Sequence, residues 1–140
     1  MGYWMRRVSN RVSAEFERAL WERECSVAEW VLLRVLWDRV QTSPAELAAA
    51  MGMTRGAISK VVAKAEAKEW VASREDPGDG RALLLTLTRR GQKMVPELAQ
   101  IADRNDERFF CCLNAKERAE LRRLLMKLTE CNKIRGVPVE

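Results

Sequence analysis

Arg55, Gly56, Ser59, Lys60 and Lys64 fall on one side of a short helical repeat, and Ile58, Val61, Val62 and Ala65 fall on the other. Spacings of three and four residues stack each set on its own face of an α-helix. The polar set offers a guanidinium, two ammonium groups, a hydroxyl and a glycine that admits close approach of a ligand backbone. Such groups hydrogen-bond base edges and phosphate oxygens; they do not make or break covalent bonds. An ordinary solvated face shows the same pattern. The flanking elements must therefore decide between the two.

Catalytic chemistry finds little footing. The chain has no histidine, which removes the commonest general base and any Ser–His or Cys–His pair. No glycine-rich phosphate loop or metal-ligand cluster is visible, so neither an enzyme nor a cofactor or metal site is expected. Cys25, Cys111, Cys112 and Cys131 have neither a disulfide-framework nor a zinc spacing, and read as reduced thiols of a cytoplasmic protein. No secretory signal or bilayer-length apolar run is present. Lys and Arg total 25 against 20 Asp and Glu, a net charge of +5 that favours a polyanionic partner. At 140 residues the chain is long enough for one domain with a real core.

The elements around the basic face are well punctuated. Ser43-Pro44-Ala45-Glu46 is a capping box with proline in its favoured first-turn position. It opens a short helix that Gly52 stops. Thr54 then caps the basic helix. Helix, glycine turn and capped helix at this spacing make a helix-turn-helix. Trp70 to Arg74 reads as a strand, Glu75 to Gly80 as a turn and Arg81 to Leu87 as a returning strand. Such a hairpin is a wing. Arg81 at its tip suits a narrow minor groove, with Asp79 as a candidate to orient it.

Upstream, Ser26-Val27-Ala28-Glu29 is another capping box, and the helix it opens is apolar on nearly every side. That predicts a buried central helix, with Trp21, Trp30 and Trp37 expected to fill the core around it, the alternative being that they wall a pocket for an aromatic ligand. Val8, Val12, Phe16 and Leu20 form a stripe near the N-terminus. Thr88 opens a long helix interrupted by Pro96, expected to kink it or to mark a late start. Asn114 caps a last helix with Leu121, Leu124, Leu125 and Leu128 on one stripe. The two terminal stripes exceed what one small winged domain can cover, which predicts a homodimer.

Together these residues resemble the MarR family of bacterial transcription regulators. The resemblance rests on Thr54-Arg55, Ser59-Lys60, Glu66, Arg74, Asp76-Pro77, Asp79, Arg81, Leu87-Thr88 and Gly91. It implies a mainly α fold with a small β-hairpin wing. Residues 26–91 would be the winged helix-turn-helix, and residues 1–25 and 92–140 the helical dimerisation region of one continuous unit. It further implies a homodimer on a palindromic operator in double-stranded DNA, contacted through Ser43, Thr54, Arg55, Gly56, Ser59, Lys60, Lys64, Arg74, Asp79 and Arg81. Most such proteins are repressors that release DNA when a small phenolic or other ligand binds, so a small aromatic effector is expected, its binding residues unassigned. Thiol-based redox sensing and a winged helix that binds protein are the alternatives. Two departures stand out. The wing has Asp79-Gly80-Arg81 where a second basic residue is usual, and Glu69 stands where the recognition helix usually ends in glycine.

Overall fold

The computed structural model describes residues 1–135 and 137–139, with the side chain of Arg81 outside the description. In chain order the elements are α1 (Gly2–Trp21), α2 (Val27–Arg39), β1 (Gln41–Thr42), α3 (Pro44–Met51), α4 (Arg55–Ala67), β2 (Val71–Asp76), β3 (Asp79–Leu87), α5 (Arg89–Phe110) and α6 (Ala115–Cys131). The fold is mainly helical with a small antiparallel sheet, as the residue pattern predicts. No helix among the described residues is long and apolar enough to cross a membrane.

Helix starts follow the side-chain caps. Ser26, Ser43 and Asn114 each accept from the backbone three residues on, and Glu29, Glu46 and Glu117 return the bond to the cap backbone. Thr54 and Thr88 cap α4 and α5 from one side only. Each cap satisfies donors that a helix start leaves orphaned.

Helix ends follow a second rule. At α1, α3, α4 and α6 a residue with positive φ is followed by a backbone N–H that reaches back five residues, as Cys25 to Leu20, Met53 to Ala48, Trp70 to Ala65 and Ile134 to Thr129. This is the Schellman arrangement, which favours glycine at the left-handed position. Only Gly52 meets that preference; Glu24, Glu69 and Lys133 occupy the others. Glu69 therefore takes the left-handed conformation in place of the usual glycine, at φ 59°. That costs roughly 1 kcal/mol.

The core is built around α2. Leu32, Leu33 and Leu36 are at most 1% exposed and pack with Leu47, Met51, Ile58 and Leu85. Leu20 and Cys25 from the α1 end and Val95 and Leu98 from α5 join the same cluster. α1 and α5 thus share one core with the winged region, whereas α6 contributes no buried residue. Two of the three tryptophans do not enter it. Trp30 is half-buried, but Trp21 and Trp37 are 58% and 43% exposed. The core expectation fails for them: Trp21 is the last residue of α1, and Trp37 lines a surface concavity with Val40, Leu87 and Gln92.

The sheet has the order β1-β3-β2. β1 was not evident from sequence. Two residues are too short for a periodic signal, and Gln41 and Thr42 become a strand only by pairing with Thr86 and Leu85. The wing hairpin is longer than its sequence suggests. Val71 pairs with Leu87 and Glu75 with Leu83, and the strands run on to Asp76 and Asp79. Only Pro77 and Gly78 are left as the turn, where the Gly78 N–H donates to Asp76 Oδ1 at 2.9 Å. α5 neither starts late nor stops at Pro96; it runs from Arg89 through that proline.

Gly91 has a strict steric reason. A Cβ there would stand 2.0 Å from the Trp70 carbonyl oxygen. The start of α5 is seated against the end of α4 through that carbonyl. The Thr88 N–H donates to it at 3.0 Å, and the Thr88 hydroxyl donates to the Glu69 carbonyl at 2.5 Å.

Candidate nucleic-acid interface

The helix-turn-helix is positioned by its own punctuation. Gly52 ends α3 in the left-handed region, and the Met53 N–H closes back on Ala48. Thr54 Oγ1 accepts from the Ala57 N–H at 3.2 Å and fixes the first turn of α4. Ile58 and Ala65 are buried against the core, and Val61 and Val62 are half-buried beside them.

The opposite face of α4 is open. Arg55, Gly56, Ser59, Lys60 and Lys64 are all exposed. Arg55, Lys60 and Lys64 form no ion pair among the described residues. The Ser59 hydroxyl donates to the Arg55 carbonyl at 3.0 Å, which leaves its lone pairs outward. A Cβ on Gly56 would meet nothing within 4 Å. The protein's own packing does not require glycine there, in contrast to Gly91.

Ser43 and Arg74 are more committed than their sequence positions suggest. Ser43 Oγ accepts from the Glu46 N–H at 3.2 Å and donates to Glu46 Oε2 at 3.0 Å. The Ser43 N–H and hydroxyl and the Thr42 hydroxyl hold the Glu46 carboxyl below the usual carboxylate range. Arg74 Nη2 donates to Gln41 Oε1 at 2.6 Å, bracing β2 against β1 across the middle strand. Asp79 begins β3 at the hairpin turn and is exposed. Arg81 lies on β3 two residues beyond it, and the expected Asp79–Arg81 orientation involves a side chain outside the described residues. The structure therefore brings Thr54, Arg55, Gly56, Ser59, Lys60 and Lys64 onto one helix, with Ser43 at the start of the preceding one. Arg74, Asp79 and Arg81 stand apart on the wing.

Sequence reasoning did not anticipate Lys68 and Glu29. Lys68 Nζ lies 2.7 Å from Glu29 Oε1 and 2.5 Å from the Glu24 carbonyl, 4.7 Å above the Trp70 ring. Glu29 is 2% exposed. Burial pushes its carboxyl up, but the Lys68 bond and the Ser26 bonds outweigh burial and leave it lowered. The same corner silences Cys25. Burial and the Glu29 charge push its thiol up to about 12, far from a reactive thiolate. Cys111, Cys112 and Cys131 are exposed and free.

Two concavities stand out among the described residues. A groove of about 730 Å³ lies between α5 and α6, lined by Phe110, Leu121, Leu125 and Met126 among charged residues. A smaller one of about 270 Å³ is walled by Leu36, Trp37, Val40, Leu87 and Gln92, where α2, β3 and α5 meet.

Comparison with known proteins agrees with this architecture. The MarR family model matches residues 26–82. The HTH-type transcriptional repressor Rv2887 of Mycobacterium tuberculosis is 32% identical over 128 residues, covering 91% of this chain and 92% of that protein. The HTH-type transcriptional repressor NicR of Pseudomonas putida is 28% identical over 136 residues, covering 97% and 86%. The solved structure of Bordetella bronchiseptica BpsR, whose DNA binding is regulated by 6-hydroxynicotinic acid, superposes with a TM-score of 0.80 at 28% identity, covering 92% of each chain. With the capped helix-turn-helix, the hairpin wing and near full-length likeness to these proteins, the chain belongs to the MarR family of transcription regulators.

Proposed function

We propose that the chain is a homodimeric transcriptional repressor that reads a palindromic operator with α4 in the major groove and Arg81 of the wing in the minor groove. One observation carries the reading. The outward face of α4 presents Arg55, Lys60 and Lys64, exposed and with no ion pair among the described residues, beside a capped helix start, while its other face packs on the core. Arg55, Ser59 and Lys60 are the base-edge candidates, and Lys64 and Ser43 the phosphate candidates. Selection of bound duplexes from a random pool tests this. The expected product is an inverted repeat with half-sites about one helical turn apart. Arg55→Ala should relax one position of each half-site by about 1–3 kcal/mol, and Arg81→Ala should lower the salt slope by about one contact. A pool that stays random at every salt concentration rejects DNA reading and leaves the protein-binding alternative.

The dimer reading rests on α6, which has no fully buried residue. Residues 1–25 and 92–140 would form the shared helical body. The larger groove then takes the partner's helices and not a small ligand. The smaller cavity suits a one-ring aromatic acid, with Trp37 to stack on it and the Gln92 amide to meet its polar edge. Its place between the winged region and α5 would let a ligand bias their relative position. The duplex selection, repeated with 6-hydroxynicotinic acid and other aromatic acids, should show release of DNA. Trp37→Leu should abolish release and keep operator binding; release that survives this change places the effector elsewhere.

Thiol sensing is favoured by one observation, the exposure of Cys111, Cys112 and Cys131. It requires that mild peroxide abolish operator binding and that a dithiol restore it. Cys25 takes no part in that reading, because its thiol stays protonated.

A further inference from the structure

The far end of α4 is held by one ammonium group. Lys68, the residue that closes α4, directs Nζ to the carbonyl of Glu24 and the carboxylate of Glu29 and lies over the Trp70 ring. Glu24 is the left-handed residue that ends α1, and Glu29 is in the first turn of α2. Lys68 thus gathers the ends of α1 and α4 and the starts of α2 and β2 at one point. The same α1 end is tied to α5 by Arg23 and Glu97, 2.6 Å apart.

We infer that Lys68 is a positioning residue for operator reading, its ammonium fixing the angle at which α4 is presented relative to α1 and α5. The inference rests on the dimeric DNA-reading proposal above. Its physical basis is the narrowing of the apolar seam towards the end of α4, beyond Ile58 and the half-buried Val61 and Val62. Of the two buried residues on that helix, the one nearer its end is Ala65, and an alanine contact resists rotation weakly. A charge-assisted bond to a buried carboxylate is directional where apolar packing is not. Lys68 also differs from Lys60 and Lys64 in facing the α1–α2 corner, so it is not available as a phosphate contact. In a dimer, the tilt of each α4 sets the distance between the two reading helices, and hence the half-site spacing that both can occupy.

Two variants test this. Glu29→Gln preserves the cap on α2, because glutamine also closes a capping box, but removes the ion pair. Lys68→Met combined with Glu29→Gln removes both charges, so no buried carboxylate is left alone. Each should weaken operator binding about tenfold with the salt slope unchanged, and should tolerate an inserted base pair between half-sites that the parent rejects. A salt slope reduced by about one contact in the double variant but not in Glu29→Gln would instead make Lys68 a phosphate ligand and overturn the inference.

A DNA-free arm separates this from failure of DNA reading itself. Spin labels at Arg18→Cys on α1 and Ala63→Cys on α4, both exposed positions, are placed in a chain with Cys111, Cys112 and Cys131 changed to serine and diluted with unlabelled protein. The distance distribution should broaden in both variants. An unchanged distribution in folded variants overturns the inference whether or not the parent binds DNA.

Discussion

The winged region and the terminal helices use the same kind of apolar stripe for opposite ends. In the winged region the stripe is consumed within the chain: Leu32, Leu33, Leu36, Leu47 and Ile58 are at most 1% exposed. At the outer ends of the terminal helices it is left open: Val8 is 46% exposed, although Leu20 at the inner end of the same α1 stripe is buried. Tyr3 and Trp4 are 63% and 62% exposed, and Leu124, Leu125 and Leu128 are each 43–45% exposed. The first region is a finished core, and the second has the open apolar surface that the proposed dimer would cover. Periodicity alone does not distinguish them, because it says which face is apolar and not what covers it.

The difference can be broken most sharply by leucine truncation. Leu36→Ala should cost about 2–5 kcal/mol, since it opens a cavity in a sealed core. The loss should be the same at every protein concentration in denaturant titration. Leu125→Ala should show a loss that depends on protein concentration, full where the parent is dimeric and shrinking on dilution as both forms dissociate. Concentration-independent loss at Leu125 would mean that α6 belongs to the monomer core.

Gly91→Ala comes next. The added methyl meets the Trp70 carbonyl, so α5 must move off the end of α4. A destabilisation of about 1–3 kcal/mol is expected from such overpacking, with the thermal midpoint as the measurement. Gly56→Ala is the internal contrast. With open space around it and a helical backbone, it should stabilise the free protein by about 0.5–1 kcal/mol while weakening DNA binding. If both glycine changes act alike on stability, the assigned difference between them is wrong.

Acid offers a further test. The Glu29 carboxyl is lowered in the folded chain, so its contribution to stability is present above the ordinary carboxylate pKa. It is lost as pH falls through the lowered value. Below pH 4.5 the parent should therefore lose stability more steeply than Glu29→Gln, by at most about 1.4 kcal/mol per pH unit for one proton. Parallel curves would show that the carboxylate gains nothing from Lys68 on folding.

The smallest change concerns Val40. It joins α2 to β1 at φ 65° and ψ −50°, a conformation that a β-branched residue rarely adopts, and it is 77% exposed. Val40→Gly should raise the thermal midpoint by the equivalent of about 1 kcal/mol. A fall would mean that its side chain does more for the small cavity than its backbone costs.

Much of the fold is legible because its signals are local. Ser26, Ser43, Thr54, Thr88 and Asn114 each cap the helix that their neighbours predict, and a cap needs only a hydroxyl or amide within three residues. The two faces of α4 are legible for the same reason: helical pitch converts spacing directly into direction. What was misread involves partners far along the chain. Trp21 and Trp37 looked like core because an apolar side chain carries no label for the side on which its neighbours will lie. β1 exists only because β3 passes beside it, and Arg74 turned out to brace Gln41, 33 residues away.

The sequence by itself determined where helices begin, which face of α4 is basic and that a hairpin follows. Those features depend on backbone chemistry over three or four residues. Tertiary structure alone decided that Lys68 would find Glu29 across 39 residues, that Gly91 would lie against Trp70, and that two tryptophans would stay outside the core. Such pairings depend on how whole elements pack, and close packing selects among arrangements that local spacing leaves equivalent.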